Sequence, residues 1–241
     1  LDILTAHSWS SNIAVLKGNG DGTFQPATFF AAGNNLKELA IADVNGDGKL
    51  DVLTASSNDN SFAVLKGNGD GTFQNATNFA VGSYPQGIAV VDVNGDGKLD
   101  VLTTNFYSNN VSVLKGNGNG TFQPATNFAA VSHPKGIAVV DVNGDGKLDV
   151  VTTNQFSNDI SVLKGNGDGT FQPATNFAAG NSPIGIAVVD VNGDGKLDVL
   201  TANNSAFNNV SVLKGNGDST FQPATNFGVG AYPVGIAVGY F

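Results

Sequence analysis

The nine-residue string DVNGDGKLD at Asp43–Asp51 decides the fold, because it returns three more times along the chain. The later copies begin at Asp92, Asp141 and Asp190, a spacing of 49 residues each time. A second string, KGNGDGTFQ in its commonest form, recurs with nearly the same period and begins at Lys17, Lys66, Lys115, Lys164 and Lys214. A period of roughly 20 to 50 residues is typical of repeat proteins, in which each unit buries its apolar surface against its neighbours.

One copy of the repeat predicts four short strands separated by polar, glycine-rich turns. Apolar, β-branched or alternating runs carry this pattern at Gly87–Val93, Leu99–Thr103, Val111–Leu114 and Thr121–Ala129. Four strands at a period of roughly 40 to 50 residues are typical of the blades of a β-propeller. A parallel β-helix needs a shorter period, and one such sheet alone buries too little apolar surface to fold as a separate domain. We predict an all-β fold, a five-bladed β-propeller of four-stranded antiparallel blades.

The two ends of the chain predict how this ring closes. Leu1 and Asp2 align with Leu50 and Asp51, and the C-terminal strand Gly235–Val238 aligns with the first strand of a blade. We expect a clasp in which this strand pairs with the N-terminal strands, so that no sheet edge is exposed. The predicted single domain spans 1–241, with repeat units at about 37–85, 86–134, 135–183 and 184–233 and a closing blade made of 1–36 plus 234–241.

Composition narrows the classes of partner. The formal net charge of −9 and the pI near 4.3 argue against nucleic acid, which is bound by basic surfaces. No run approaches the roughly 18 apolar residues of a membrane span. The sequence has no Cys, opens at Leu1 and holds no Met, so we expect a processed product or a piece of a longer protein.

Each complete copy of the acidic string has the spacing D-x-N-x-D-G-x-x-D, which suits a hard cation. In the first copy, Asp43, Asn45 and Asp47 offer side-chain oxygens at alternating positions, the Lys49 carbonyl can turn inward, and Asp51 closes the set. Such a flexible, all-oxygen site favours Ca²⁺ over Mg²⁺. An EF-hand is excluded because the last carboxylate stands at position nine and a strand follows. The alternative is a plain Asx-type turn without a cation, in which three crowded carboxylates would repel one another.

We therefore predict four calcium sites with a mainly structural role, and four divalent ions would offset most of the net charge of −9. The further predicted ligands are Asp92, Asn94, Asp96, Lys98 and Asp100, then Asp141, Asn143, Asp145, Lys147 and Asp149, then Asp190, Asn192, Asp194, Lys196 and Asp198. The second glycine-rich string, Gly18–Gly22 and its copies, offers one Asp per copy except in the third, where Asn119 replaces it. It is either a second cation site or a β-turn, and we favour the turn.

The whole chain resembles the FG-GAP/VCBS-type repeats of bacterial surface and secreted proteins, and the calcium-bearing blades of integrin α-chain propellers. The resemblance rests on the DxNxDGxxD loop and on the run FQPATNF…GIAV…NVSVLKGNGDGTFQ. It implies that the loop after the innermost strand binds Ca²⁺ and that the protein is extracellular or at a cell surface, in a bacterium. Two departures are visible: integrin-type rings have seven blades, and Leu36 and Glu38 stand where later copies have Pro85 and Gly87.

The loops at the other end of the strands vary from copy to copy and carry aromatic residues. We predict a ligand surface there, formed by Trp9, Tyr84, Phe106, Tyr107, Phe156, Phe207 and Tyr232. Aromatic rings beside Asn and Ser suit carbohydrate, and they suit a protein partner nearly as well. The alternative is that these loops vary because nothing constrains them.

The sequence predicts a binding protein and not an enzyme. His7 and His133 occupy different positions in their repeats, Cys is absent, and the paired carboxylates are explained as calcium ligands. We expect a calcium-stabilised extracellular module that binds a glycan or a cell-surface protein, and a monomeric ring in which exchange between chains is possible. The alternative is a protein–protein adhesion or architectural module of a larger surface protein with no sugar site.

Overall fold

The computed structural model describes residues 1–206 and 209–239, which form nineteen strands and one short 3-10 turn at Ser57–Asp59. The strands fall into five sheets, of which the first has three strands and the others four. The first sheet holds β1 (Ile3–Ala6), β2 (Asn12–Leu16) and β3 (Thr28–Ala31), and the second holds β4 (Leu36–Ala42), β5 (Asp51–Ser56), β6 (Ser61–Leu65) and β7 (Thr77–Ala80).

The remaining three sheets repeat the second one. The third holds β8 (Pro85–Val91), β9 (Asp100–Asn105), β10 (Asn110–Leu114) and β11 (Thr126–Ala129). The fourth holds β12 (Pro134–Val140), β13 (Asp149–Asn154), β14 (Asp159–Leu163) and β15 (Thr175–Ala178). The fifth holds β16 (Pro183–Val189), β17 (Asp198–Asn203), β18 (Asn209–Leu213) and β19 (Thr225–Gly228). Each strand lies beside the next one in the chain, which is the arrangement of a propeller blade.

Burial within a sheet follows the position of the strand. All six residues of β5 are buried, whereas β7 is largely exposed. The second strand of a sheet is thus covered on both faces, and the fourth lies at the outside. This explains why β5 and its copies carry apolar and small polar residues without the strict alternation of a half-exposed strand.

The chain divides into two compact units, the first made of residues 1–92, 96–107 and 112–126 and the second of residues 93–95, 108–111 and 127–241. In the first unit, Phe62 packs with its ring centroid 5.2 Å from that of Phe79 and 5.4 Å from that of Phe122. In the second unit, Val142 and Ile160 pack with Phe221. The predicted single domain stays a prediction.

The repeated all-β architecture confirms the sequence prediction, and the largest difference lies in the fourth strand. That strand was expected over Thr121–Ala129 and begins only at Thr126. The residues before it close a turn: Gly116 pairs with Phe122, and the Gln123 amide donates to the Lys115 carbonyl at 2.8 Å. After this turn the chain makes no strand pairing until the outer strand begins at Thr126.

The predicted clasp has no counterpart in the strands that the structure describes. Residues 229–239 carry no strand, and the first sheet has three strands. A Cβ placed on Gly185 would lie 2.5 Å from the Val234 carbonyl oxygen, just as one on Gly136 would lie 2.5 Å from that of Ile184. The C-terminal segment therefore runs beside β16 as β16 runs beside β12. Closure of the ring stays a prediction, and Tyr240 and Phe241 lie outside the described residues.

A membrane-crossing helix is not found in the part of the chain that the structure describes.

Candidate functional site

The first acidic loop folds around the side chain of its first residue. Asp43 Oδ1 accepts the Gly46 amide at 2.7 Å, and Oδ2 accepts the Gly48 amide at 2.8 Å. Gly46 and Gly48 have φ values of 75° and 80°, which a residue with a Cβ rarely adopts. The bond from Gly48 contributes most to lowering the pKa of Asp43, because an amide donor stabilises the charged carboxylate.

The other acidic loops repeat this fold. Asp190 accepts the amides of Gly193 at 2.7 Å and Gly195 at 2.8 Å, and its pKa is lowered for the same reason. Asp141 accepts the amides of Gly144 and Gly146, both at 2.7 Å. The loop at Asp92 shares the bond from Gly97, at 2.8 Å.

The last residue of the loop, Asp51, joins two turns of the same sheet. It is fully buried, and it accepts the Val44 amide through Oδ2 at 3.1 Å and the Gly67 amide through Oδ1 at 2.9 Å. Burial raises the pKa of Asp51 against these two amide bonds, which lower it, and the charges of Asp43 and Asp47 add to the rise. Asp51 therefore fastens the acidic loop to the second glycine-rich turn.

This link recurs wherever the repeat has the final Asp. Asp149 accepts the amides of Val142 at 3.2 Å and Gly165 at 2.8 Å. Asp2 keeps half of the link, since its Oδ1 accepts the Gly18 amide at 2.9 Å although the rest of its loop is not part of the sequence. The 16-residue step from Asp51 to Gly67, repeated from Asp2 to Gly18 and from Asp149 to Gly165, was the available signal.

The donor chemistry of the loop fits a hard cation. The oxygens of Asp43, Asn45 and Asp47 lie on one turn of backbone, and Asn45 Oδ1 and Asp47 Oδ1 each accept one loop amide at 2.9 Å. A carboxylate has about four lone-pair directions, so accepting an amide leaves it able to bind a cation. Within the described residues no three acidic, His or Cys side chains are gathered as a metal cluster. The ligand assignment therefore stays a prediction.

The acidic loop also carries an apolar residue into the neighbouring sheet. Val44 is buried in the cluster that contains Phe122, and its carbonyl accepts the Gly120 amide at 3.0 Å. Val142 packs in the same way with Phe221 in the second unit. Any cation that ordered this loop would thus also stabilise the contact between two sheets.

At the other end of the strands, a pair of residues with positive φ fixes the backbone of three variable loops. Tyr84 has φ 60°, and its amide donates to the side chain of Asn60, φ 50°, at 2.9 Å. The same bond joins His133 to Asn109 at 2.9 Å and Ser182 to Asn158 at 2.8 Å. The residue at the Tyr84 position is therefore held by its backbone, and its side chain is free to differ between copies.

The side chain at this position meets one from the following loop, and we name the two a variable pair. The variable pairs are Asn35 with Asn58, Tyr84 with Tyr107, and His133 with Phe156. The Asn35 amide donates to Asn58 Oδ1 at 3.2 Å, whereas ring centroids are 4.8 Å apart in the tyrosine pair and 4.4 Å apart in the third pair. One position thus presents amides in one sheet and aromatic rings in the next two.

Exposure separates the predicted ligand residues into groups. Trp9, Tyr107 and Phe156 stand at the same repeat position and are 101%, 60% and 61% exposed, and Tyr232 is 59% exposed. Tyr84 is half-buried. Phe106 is buried beneath the tyrosine pair, with its ring centroid 5.2 Å from that of Tyr107, so it supports the surface rather than forming it. Phe207 lies outside the described residues.

The first copy departs from the others where Glu38 replaces glycine. Its carboxylate accepts the Ile88 amide of the adjacent strand at 3.1 Å. Burial of the carboxyl among protein atoms raises the pKa of Glu38, although solvent still reaches part of the side chain, and the Ile88 bond opposes this rise. Glu38 thus gives the neighbouring sheet a hydrogen-bond acceptor. In later copies the glycine at this position, such as Gly136, instead packs closely against a neighbouring backbone carbonyl.

Sequence reasoning missed a repeated groove beside the outer strands. The residues that line it recur between copies and were therefore interpreted as part of the strands and turns. In the first unit the groove has a volume of about 490 Å³, and in the second a similar one has about 440 Å³. Edge-on phenylalanine pairs wall each groove, with centroids 5.4 Å apart. The lining includes Phe30, Phe73, Gln74 and Asn78 in the first and Phe128, Phe171, Gln172 and Asn176 in the second.

A family profile described as an FG-GAP-like repeat matches residues 1–54, 43–103, 92–152, 141–201 and 190–241. The chain belongs to the FG-GAP-like repeat family. A search of curated protein sequences found no match.

Solved structures similar to this FG-GAP-like repeat protein are β-propellers. One is an Agrocybe aegerita lectin that recognises non-reducing terminal N-acetylglucosamine: identity is 25%, the TM-score is 0.61, and the match covers 94% of this chain and 65% of the lectin. Another is virginiamycin B lyase from Staphylococcus aureus, at 14% identity and a TM-score of 0.65, covering 97% of this chain and 69% of the lyase. A third is a protein of unknown function from Desulfotomaculum acetoxidans, at 14% identity and a TM-score of 0.72, covering 98% and 68%. The chain thus spans about two thirds of the length of these propellers.

The prediction that the protein is not an enzyme is wrong, because this fold does not exclude catalysis. Propellers that share the fold include a lyase, so related proteins can be enzymes. At 14–15% identity these two structures show the fold alone.

Proposed function

We propose that this FG-GAP-like repeat protein is a glycan-binding module, outside or at the surface of a bacterial cell, whose fold is stabilised by calcium. The observation that carries the proposal is the shared exposure of Trp9, Tyr107 and Phe156, which stand at one repeat position and are 101%, 60% and 61% exposed. Exposed rings on a fixed backbone can stack on the apolar faces of sugar rings at little cost in conformational entropy.

Polar groups beside these rings supply the hydrogen bonds that a sugar needs. The Asn35 side chain lies against the Tyr84 hydroxyl at 3.2 Å, and Gln155 lies beside Ser182 with its Nε2 3.1 Å from the Ser182 hydroxyl. Amide and hydroxyl groups can each donate and accept, which matches the hydroxyls of a carbohydrate. The similarity to the N-acetylglucosamine-binding lectin supports the same ligand class.

Repetition gives such a module avidity. Each aromatic variable pair offers one weak site, and several sites on one rigid protein bind a multivalent glycan surface more tightly than any site alone. We expect weak affinity for monosaccharides and strong retention on glycan-coated surfaces.

The acidic loops are the proposed calcium-binding sites. Asp43, Asn45, Asp47, the Lys49 carbonyl and Asp51 would hold the first ion, and the matching residues of the next three copies would hold the others. The ion would supply positive charge among carboxylates whose repulsion adds to the rise in pKa that burial causes at Asp51 and Asp149. Because Val44 of the same loop packs into the neighbouring sheet, ordering the loop would stabilise the fold.

A glycan-array screen in millimolar calcium, repeated with a chelator, tests the proposed function. The double variant Tyr107→Asn, Phe156→Asn places at both positions the residue that the repeat carries at Asn58. We expect the wild type to bind saccharides and the double variant to lose most of the signal while its melting temperature stays unchanged.

The control is Phe227→Asn, since Phe227 is 54% exposed on β19 and belongs to no variable pair. It should bind as the wild type does. A blank array from well-folded wild-type protein would overturn the glycan proposal and favour a protein partner or an architectural role.

A further inference from the structure

At the junction between the amide pair and the tyrosine pair, a lysine lies over an aromatic ring. Lys37 donates through Nζ to Asn35 Oδ1 at 2.9 Å, and its Nζ lies 5.6 Å from the centroid of the Tyr84 ring. Residues at the same repeat position are Gln86, Lys135, Ile184 and Val234. The first junction therefore joins a cation to an aromatic pair.

Hydrogen bonds connect the groups around this lysine into one surface. The Asn35 side chain donates to Asn58 Oδ1 and reaches the Tyr84 hydroxyl, both at 3.2 Å. Tyr84 in turn lies 4.8 Å from the exposed ring of Tyr107. An apolar ring face, two amides, a phenol and an ammonium group thus lie side by side.

The ammonium group of Lys37 donates to an amide oxygen and forms no salt bridge with the described residues. No carboxylate lies within ion-pair distance of its ammonium group among the residues that the structure describes. Two carboxylates near this junction accept backbone amides: Glu38 accepts the Ile88 amide at 3.1 Å, and Asp59 accepts the Asn34 amide at 2.8 Å. One of the three ammonium hydrogens is used by Asn35, so the others can serve a ligand.

We propose that this junction, formed by Asn35, Lys37, Asn58, Tyr84 and Tyr107, binds an acidic sugar, a uronic acid, with its ring on Tyr107 and its carboxylate on Lys37. The inference rests on the proposed glycan-binding function and names the class of sugar. A charge-assisted hydrogen bond is roughly twice as strong as a neutral one, so the carboxylate sets the preference at this junction. At the pair of His133 and Phe156, the repeat position that Lys37 has relative to Tyr84 is taken by the neutral Gln86.

The test compares methyl β-glucuronide with methyl β-glucoside, which differ only in a carboxylate against a hydroxymethyl group. Affinities are measured by NMR titration of the intact chain in calcium. We expect the glucuronide to bind about fivefold more tightly at low salt, with the preference shrinking at high ionic strength.

Lys37→Gln is the decisive variant, since glutamine occupies this repeat position at Gln86. It should abolish the preference while leaving glucoside binding and the melting temperature unchanged. Lys135→Gln is the matched control, because Lys135 has the same repeat position as Lys37. Ser182 takes the place beside Lys135 that Tyr84 takes beside Lys37, so no tyrosine pair follows it. It should leave the preference intact.

The outcomes separate the two levels of the proposal. If neither sugar binds in this titration and the array is blank, the glycan function itself is wrong. If both sugars bind the wild type equally, or if Lys37→Gln keeps the preference, glycan binding stands and the acidic-sugar site is wrong.

Discussion

The acidic loops and the variable loops lie at opposite ends of the same antiparallel strands, and they use positive-φ backbone for opposite purposes. In the acidic loop, Gly46 and Gly48 allow the chain to curl around Asp43, whose oxygens accept the loop's own amides. In the variable loop, Asn60 holds the Tyr84 backbone, and the Tyr84 side chain points at other side chains. In the acidic loops the first Asp side chain bonds to the backbone of its own loop. In the variable loops the side chain at the Tyr84 position is not needed to hold its own backbone.

This difference explains the pattern of identity between copies. A side chain that accepts backbone amides cannot change without leaving them unpaired, so the acidic string is constant. Where the amides of Tyr84, His133 and Ser182 are satisfied by a neighbouring Asn, the side chain itself can change from tyrosine to histidine to serine. Constancy at one end reports stability, and variation at the other permits recognition.

Removal of calcium should lower thermal stability more than any substitution below, and it should act through the acidic loops alone. A ligand at about 100 times its Kd stabilises by about 2.7 kcal/mol per site, so four sites should raise Tm by on the order of 10 °C or more. Thermal melts in calcium, in magnesium and in excess chelator measure this. Superimposable melts in calcium and chelator would contradict a structural role for the ion.

Asp149→Asn should be costly whether or not calcium is present. Asp149 is fully buried and accepts two backbone amides, and an asparagine there would turn an NH₂ group toward one of them. A buried donor without a partner costs about 1–3 kcal/mol. Urea unfolding in chelator isolates this cost. Asp145→Asn is the control, because Asp145 is exposed and should matter only when calcium is bound. If the cost of Asp149→Asn vanished in chelator, the residue would act only as a ligand.

The acidic loops also differ from one another at their apolar residue. Val142 is 4% exposed and packs with Phe221, whereas Val191 at the same repeat position is 42% exposed. Val142→Ala should cost about 2 kcal/mol from lost burial and the cavity, and Val191→Ala less than about 0.5 kcal/mol. Equal costs, measured by urea unfolding, would mean that Val191 is buried in solution, as the predicted closed ring requires.

The fold followed from the sequence because its period repeats, whereas the site residues were harder to place. Local patterns located β9 and β10 to within two residues at each end, since alternation and glycine turns are local signals. The link from Asp51 to Gly67 joins turns 16 residues apart, so it depends on tertiary structure that no local pattern carries. The burial of Phe106 was missed for a related reason, because neighbouring aromatic residues in one loop do not reveal which of them faces solvent.

Phe156→Asn should have the smallest effect on stability and a large effect on binding. Phe156 is 61% exposed, and Asn58 shows that the same backbone accepts asparagine at this position. Exposed substitutions of this kind change stability by less than about 0.5 kcal/mol, so the urea midpoint should be unchanged within error. Retention on a glycan-coated surface should fall, because one ring platform is lost. A clear loss of stability would instead show that the ring packs against His133 as part of the fold, and the contrast between a structural end and a recognition end would then fail at the second aromatic pair.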